Sequence, residues 1–477
     1  MTRLVWLRND LRVADNPALH AAVAEGPAVA LFLLTPGQWR AHGEAPCKVD
    51  YRLRTLAALA EDLERLGVPL LVRHAETWAE APAALRAVCR QLAVTAVEAN
   101  EEYGVDEARR DRAVASALNE AGIAWRPHLD QALLPPGSVL TRSGGYFQVF
   151  GQFRRACLER LRATPPVCLP VPEAQPRPPI PSDTPPALPA GFPAPADALR
   201  VQWPAGETEA RARLEAFAES DLARYHEARD PPAVDGTSRL SAPLAVGALS
   251  VRQCLHAALA HNAGEWDSGG QGPRTWIDEL LWREFYRHVL VGYPRVSKGR
   301  AFRLETESLR WRQAPEDLRA WQEGRTGVPL VDAAMRQMLA LGWMHNRLRM
   351  VAAMFLSKNL LIDWREGERY FMGHLIDGDF ASNNGGWQWS ASTGTDSVPY
   401  FRVFNPVSQS RRFDPEGRFL RAWLPELAGC RDPHWPTSAE RRAAGYPEPL
   451  VDLKASRARA LAAFRDLPRR GEARAPA

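Results

Sequence analysis

Five short apolar runs separated by helical stretches fill the first 130 residues, and this alternation limits the fold more than any other feature of the chain. Residues 3–7 (RLVWL), 28–34 (AVALFLL), 68–73 (VPLLVR), 94–99 (VTAVEA) and 123–127 (IAWRP) read as buried strands. Asp15-Asn16-Pro17 supplies an N-cap and an N1 proline for a first helix through about Val23. A second, over 50–66, stops at Gly67, and others are expected near 78–92 and 105–121. Strict alternation of this kind predicts a parallel sheet with helices on both faces, a Rossmann-like α/β domain over 1–130. No G-x-G-x-x-G follows the first strand, so the dinucleotide fingerprint is absent. Ligands of such sheets sit beyond the carboxyl ends of the strands. Two of those ends are polar, Arg8-Asn9-Asp10 and Asn100-Glu101-Glu102; a ligand contact and a solvated turn explain them equally well.

Between Thr164 and Pro204 the composition changes. Roughly a third of the chain's 40 prolines lie there, and such a segment forms neither helix nor central strand. The expectation is a connector over 131–206, Pro-rich and extended in its second half. From 207 to 477 helical signals dominate, at 207–224, 250–262, 273–291, 315–323, 329–341, 345–361 and 364–374, which predicts an all-α domain.

Composition excludes several classes. Hydrophobic residues at 45% and charged residues at 24% fit a soluble globular protein. The net charge of +4 is too mild to announce a nucleic-acid partner, so any such site must come from local clustering. The six cysteines, at 47, 89, 157, 168, 254 and 430, form no C-x-x-C pair; no metal site or disulfide framework is expected, and a reducing cytoplasm is. MTRLVWLRND is charged at once and is no secretory signal, and no apolar run approaches the roughly 18 residues of a membrane span.

Four segments carry residue types that folding alone seldom selects. Gly373 to Phe404 is the densest: Asp377 and Asp379 flank Gly378, Asn383-Asn384 precede Gly385-Gly386, and Trp387 and Trp389 follow. Paired Asn and Gly weaken a helix, and paired glycines admit a flat or bulky partner. The plain alternative is a loop with two buried tryptophans. Gly236 to Ser241 (GTSRLS) is a hydroxyl-rich turn suited to a phosphate, or simply a helix N-cap. In WIDELLWREFYR, Glu279, Trp282, Arg283 and Tyr286 form one helical stripe, which is either a functional carboxylate among aromatics or a surface ion pair. In WMHNRLRM, Asn346, Arg349 and Met350 share a face, as they also would on an ordinary amphipathic helix with a basic side.

Taken together, WLRNDLRVADNPAL, DGTSRLS, ELLWREFYRH, GWMHNRLRM, LLIDWREGERYF and LIDGDFASNNGGWQWSASTGTD resemble the photolyase/cryptochrome family, and most of all its bacterial class I cyclobutane pyrimidine dimer photolyases. The likeness runs from about Leu4 to about Leu461. It implies an α/β antenna domain, a connecting loop and a helical domain holding a U-shaped FAD. It also implies light-driven repair, in which excited, reduced, anionic flavin lends an electron to a pyrimidine dimer and the cyclobutane ring splits.

The resemblance implies roles for individual residues. Tyr225 and Thr237, Ser238, Arg239, Leu240 and Ser241 would hold the FAD phosphates, and Trp276 would flank the flavin. Arg349 and Asp377 would pair beside the isoalloxazine ring, with Gly378 between Asp377 and Asp379, Asp379 at the ring's polar edge and Asn383 near N5. Glu279 would hydrogen-bond the damaged bases; a carboxyl among aromatics tends to be protonated and so can donate to a dimer anion. Trp282 and Trp389 would pack on the flipped dimer, with Asn346, Arg347 and Met350 completing the pocket beside Arg283 and Tyr286. Neither Asn346 nor Met350 is the histidine of (6-4) photolyases, which favours cyclobutane dimers. Trp311, Trp364 and Trp387 match the family's electron relay. Residues i and i+2 of a helix point about 200° apart, so Trp387 and Trp389 cannot both face the dimer. Arg229, Arg347, Arg402 and Gln409 would contact DNA phosphates.

The antenna residues would be His42, Asp106, Glu107 and Lys298, holding methenyltetrahydrofolate; Asp106 stands where asparagine is usual, and a deazaflavin or an empty site is the alternative. A photosensory cryptochrome is the competing function, disfavoured by the short arginine- and alanine-rich segment at Ser456–Ala477; a non-catalytic DNA-binding flavoprotein would not need Glu279 and Met350. A monomer is expected, with damaged DNA as partner, no membrane and no obligate protein partner.

Overall fold

In the computed structural model, residues 2–468 are described. The five apolar runs are strands β1 (Thr2–Leu7), β2 (Ala28–Leu34), β3 (Leu70–His74), β4 (Val94–Asn100) and β5 (Ala124–His128), all parallel in the order β3-β2-β1-β4-β5. Period-two alternation sends side chains to opposite faces. Val5, Leu7, Ala30 and Phe32 join one core with the helices Pro17–Glu25 and Pro46–Arg65. Leu4, Trp6, Val29, Leu31 and Val97 join the other with Ala81–Gln91 and Val105–Asn119. Asn16 caps the first helix through Leu19 N–H, with Pro17 at N1, as its sequence requires.

The polar strand ends turn out to be neither solvated nor open. Asn100 Nδ2 donates to Asp10 (2.7 Å) and Asn16 (2.8 Å), Arg8 to Asp111 (2.8 Å), and Asn9 and Arg110 to Glu102 (2.7 and 2.8 Å). Burial pushes the Asp10 carboxyl up to about 6. Burial acts the same way on Glu102, but Arg110 and Arg8 outweigh it and hold that carboxylate down at about 2. The crevice between β1 and β4, where the strand order reverses, is filled by the chain's own charges.

The Pro-rich connector docks on the sheet. Gln175 bonds both the N–H and the carbonyl of Ala28 (2.8 Å each), and Asp183 takes the Val72 N–H and gives its own to the Leu70 carbonyl (2.8 Å each). Covering the β3 edge removes a row of unpaired backbone groups. The expected connector over 131–206 needs correction: its first half holds the helix Phe150–Ala163, and Asp197–Gln202 is a helix within the longest run of the Pro-rich part without proline or glycine.

The chain forms two compact units. The first comprises Met1–Tyr225, Ser238–Pro294 and Ile376–Gly378; the second comprises His226–Thr237, Arg295–Leu375 and Asp379–Ala477, of which residues up to 468 are described. The long helix Gln271–Gly292 belongs to the first unit. The second is helical, built on one core that holds Trp321, Met335, Leu348, Phe355, Trp364, Phe371 and Trp387. Its predicted helices at 315–323, 329–341 and 364–374 are present within two residues. The one expected over 345–361 is α-helical only from Asn346 to Met354 and continues as a π-turn over Phe355–Asn359.

Within the first unit, Arg252 is the buried hub. It donates to the Asp15 carboxylate (2.8 Å) and carbonyl (3.0 Å) and to the Asp130 carboxylate (2.7 Å) and carbonyl (3.1 Å). Removing one member of a buried charge network strands the others. Arg252→Met is expected to lower unfolding stability by about 3–5 kcal/mol, read from the shift of the urea midpoint.

Candidate functional site

The densest stretch is a helix, not a loop. Asp379 is its N-cap, accepting from Ser382 N–H (3.0 Å) and Ser382 Oγ (2.7 Å), and the helix runs Phe380–Ala391 through Asn383-Asn384-Gly385-Gly386. Propensity argues against it, and tertiary packing overrides propensity. Gly367 of the neighbouring helix Trp364–Met372 lies so close to the Trp387 indole that a Cβ there would stand 2.0 Å from Cη2. Phe371 meets Trp387 edge-on at 4.9 Å and Trp321 does so at 6.0 Å. Trp364, Gly367, Glu368 and Phe371 recur at the three- and four-residue spacing of one helical face.

Trp387 and Trp389 lie on different sides of this helix. Trp387 is 2% exposed in the core, whereas Trp389 is half-buried. Trp364 belongs to the same core, with the Arg365 guanidinium 4.8 Å over its ring, and Trp311 packs at the core's margin. The three relay candidates therefore share one apolar cluster, running from buried to half-buried.

Asn383 shares this helix. Its Nδ2 donates to the Glu368 carbonyl (3.0 Å). Burial raises the Glu368 carboxyl to about 7, against the opposing pull of Arg369 and Asn383, and its Oε1 is buried with no hydrogen bond among the described residues. A methyl at Gly386 would meet no protein atom within 4 Å. An amide, a half-buried carboxyl with one buried oxygen and open space at a glycine suit a planar group edged with N–H and C=O, so these residues fit a flavin. On helix Asn346–Met354, Asn346 is exposed and Met350 half-buried, one turn apart. Arg347 donates to Asp230 (2.7 Å) and lies 4.5 Å over Phe413, while Arg349 donates to the Met344 carbonyl (2.8 Å). Arg229 is half-buried in the same unit. Arg402 is exposed, and Gln409 is half-buried on helix Pro406–Phe413.

The first unit contributes a second set. Trp276 is 3% exposed and packs on Phe217 (5.0 Å), which meets Tyr225 edge-on (5.8 Å). Ser238 and Arg239 lead into helix Ser241–Val246; Arg239 is left-handed at φ 50°, and Leu240 is buried. Thr237 belongs to the second unit. Glu279 is half-buried on the long helix. Trp282, expected against the damaged base, is stacked face to face on Phe150 at 3.8 Å, so only its other face and edges remain, with Tyr286 at 5.6 Å. Arg283 donates to the Leu244 carbonyl (3.2 Å). Asp377 is buried beside Gly378 in this unit. Of the antenna candidates, His42 sits edge-on to Trp78 (4.8 Å) and 3.5 Å from Asp106, which pairs with Arg109 (3.1 Å). Burial raises the neighbouring Glu107 to about 7. Lys298 lies in the second unit.

Sequence reasoning missed Gly367, Glu368 and Phe150. A glycine inside the helix-forming run WREGERYF was the available signal for the first.

Known proteins agree with this architecture. Residues 3–176 match the DNA photolyase model, and 276–466 match the FAD binding domain of DNA photolyase. Deoxyribodipyrimidine photo-lyase of Escherichia coli (strain K12) is 44% identical over 97% of this chain and 98% of its own. That of Vibrio cholerae is 45% identical over 95% and 97%. A bacterial class III photolyase from Agrobacterium tumefaciens superposes with a TM-score of 0.87 at 33% identity, covering 97% of both chains. A Synechocystis cryptochrome does so with 0.87 at 30% identity, covering 97% and 98%. The chain belongs to the DNA photolyase family and carries that family's FAD-binding domain.

Gly367 sets the distance between two helices, and adding atoms to such a contact typically costs 1–3 kcal/mol. Gly367→Ala is expected to lower stability by about that amount and to alter the near-UV circular dichroism of the displaced Trp387.

Proposed function

We propose that this chain is a light-driven DNA repair enzyme that splits cyclobutane pyrimidine dimers. The observation that carries the reading is helix Phe380–Ala391, which has a core tryptophan on one face, a half-open tryptophan on the other and Asn383 one turn before Trp387. The identity of 44–45% to photo-lyases over nearly the whole chain supports it.

When bound, reduced FAD supplies the electron that opens the cyclobutane ring. Tyr225, Thr237, Ser238, Arg239, Leu240 and Ser241 hold its phosphates through hydroxyl and N–H donors. Trp276 packs along the flavin; Arg349, Asp377, Asp379 and Asn383 orient it, and Gly378 and Gly386 admit it closely. Trp311, Trp364 and Trp387 would pass an electron from a reductant at the surface inward to oxidised flavin. Asn346, Met350 and the open face of Trp389 receive the flipped dimer, while Trp282 packs on it with the face that Phe150 leaves free. Glu279 hydrogen-bonds the bases. Arg229, Arg402 and Gln409 contact the DNA backbone, and Arg347 joins them by exchanging Asp230 for phosphate. His42, Asp106, Glu107 and Lys298 hold a folate antenna; its pterin N–H groups find carboxylate acceptors, and the filled crevice between β1 and β4 disfavours a flavin-like antenna there. The enzyme acts as a monomer in the cytoplasm; among the described residues no helix is long and apolar enough to cross a membrane.

Blue light on the reduced, FAD-loaded protein with a thymine-dimer oligonucleotide tests the reading, and dimers that persist would sink it. In the same assay Glu279→Ala is expected to bind the dimer up to roughly tenfold more weakly, the size of one hydrogen bond, with a lower repair yield per photon. Trp364→Phe is expected to abolish photoreduction of oxidised flavin while chemically reduced enzyme still repairs; transient absorption decides.

A further inference from the structure

Lys358 is fully buried, at 0% exposed, in the π-turn Phe355–Asn359. Its Nζ donates to Ser392 Oγ (2.8 Å) and to the Arg402 carbonyl (3.1 Å). Ser392 caps helix Phe380–Ala391 in the left-handed region (φ 62°), and its hydroxyl donates onward to the Val398 carbonyl (2.6 Å). One ammonium thus joins the end of the helix bearing Trp387 and Trp389 to the loop that displays Arg402 and the exposed Phe401. A buried lysine is normally paired, and among the described residues no carboxylate bridges this one.

The charged neighbours carry both signs: Arg312 and Arg303 are themselves paired with Asp317 and Glu305 (3.0 Å each), helix Leu453–Arg465 adds Lys454, Arg457 and Arg459, and helix Asn346–Met354 adds Arg347 and Arg349. Arg312 donates to the Leu360 carbonyl (2.8 Å), Arg459 to that of Asn359 (2.6 Å), Arg457 to that of Phe401 (3.3 Å) and Arg303 to that of Ser392 (3.4 Å). Helix Trp364–Met372, also packed on the turn, brings Arg365, Glu366, Glu368 and Arg369 after its cap Asp363. Helix Phe380–Ala391 brings no charge. Burial, and no neighbouring charge, pushes the ammonium down from 10.5 to about 7.

We infer that Lys358 is a positioning residue for DNA: it fixes the Arg402 loop against the end of the Trp389 helix, and its charge is recruited when phosphate binds at Arg402. The inference rests on the reading of Arg402 as a DNA contact. The linkage has a definite sign. A nearby polyanion favours the ammonium, so DNA binding takes up a proton, and affinity falls as pH rises through about 7 to 8. The fall reaches about tenfold for each pH unit by which DNA raises the group. In free protein the unfolded chain keeps its lysine proton between about 7 and 10.5 while the folded chain releases it, so stability rises with pH there.

The test measures binding of a thymine-dimer duplex to FAD-loaded protein at constant ionic strength from pH 6.5 to 8.5. Lys358→Arg, permanently charged, is expected to bind at the low-pH strength with no slope. Lys358→Met is expected to bind weakly with no slope, and flavin absorbance with thermal melting identifies folded samples. A wild type without the slope, or a slope that persists in a folded variant, overturns the inference. Arg402→Ala serves as control: unchanged binding there removes the loop's DNA role and the inference with it, whereas weakened binding beside a persistent slope removes only the role of Lys358.

Discussion

The contact between Gly367 and the Trp387 indole sets the geometry of the helical unit. Only a residue without a side chain lets helix Trp364–Met372 lie this close to Phe380–Ala391. The approach buries Trp387 against Phe371 and Trp321, brings Asn383 within reach of the Glu368 carbonyl and seats Trp364 in the same core. One steric constraint therefore fixes an indole, an amide and their separation. That contact compensates a helix whose own sequence, with consecutive asparagines and glycines, opposes helix formation.

Much of this was legible in the sequence, for identifiable reasons. The strands of the first unit announced themselves because both faces of a parallel sheet are buried and demand unbroken apolar runs. The split between Trp387 and Trp389 followed from helical geometry alone. What local pattern could not reveal were interactions set by distant partners. Paired Asn and Gly argued against a helix that packing then enforced. The charged ends of β1 and β4 left a ligand crevice and a turn equally plausible, because nothing local showed that Arg8, Asn100 and Glu102 would interlock across the sheet. Phe150 stacks on Trp282 from 132 positions away.

Two arrangements of buried polar groups contrast. In the first, arginines and carboxylates pair among themselves, as at Arg252 and Arg8, and the result is rigidity. In the second, the Glu368 Oε1 and the Lys358 ammonium are buried without an opposite charge bound to them among the described residues, and both groups are drawn toward neutrality. Groups poised in this way respond to a newly arriving charge, which paired groups do not.

The two faces of helix Phe380–Ala391 also differ in how freely they can change over evolution. The face carrying Trp387 is locked by contacts from several helices, so a substitution there must be matched by others at once. The face carrying Trp389 ends in partly open space and answers to fewer neighbours. A lineage can therefore change the half-open side of this helix by single steps, while the opposite side stays fixed.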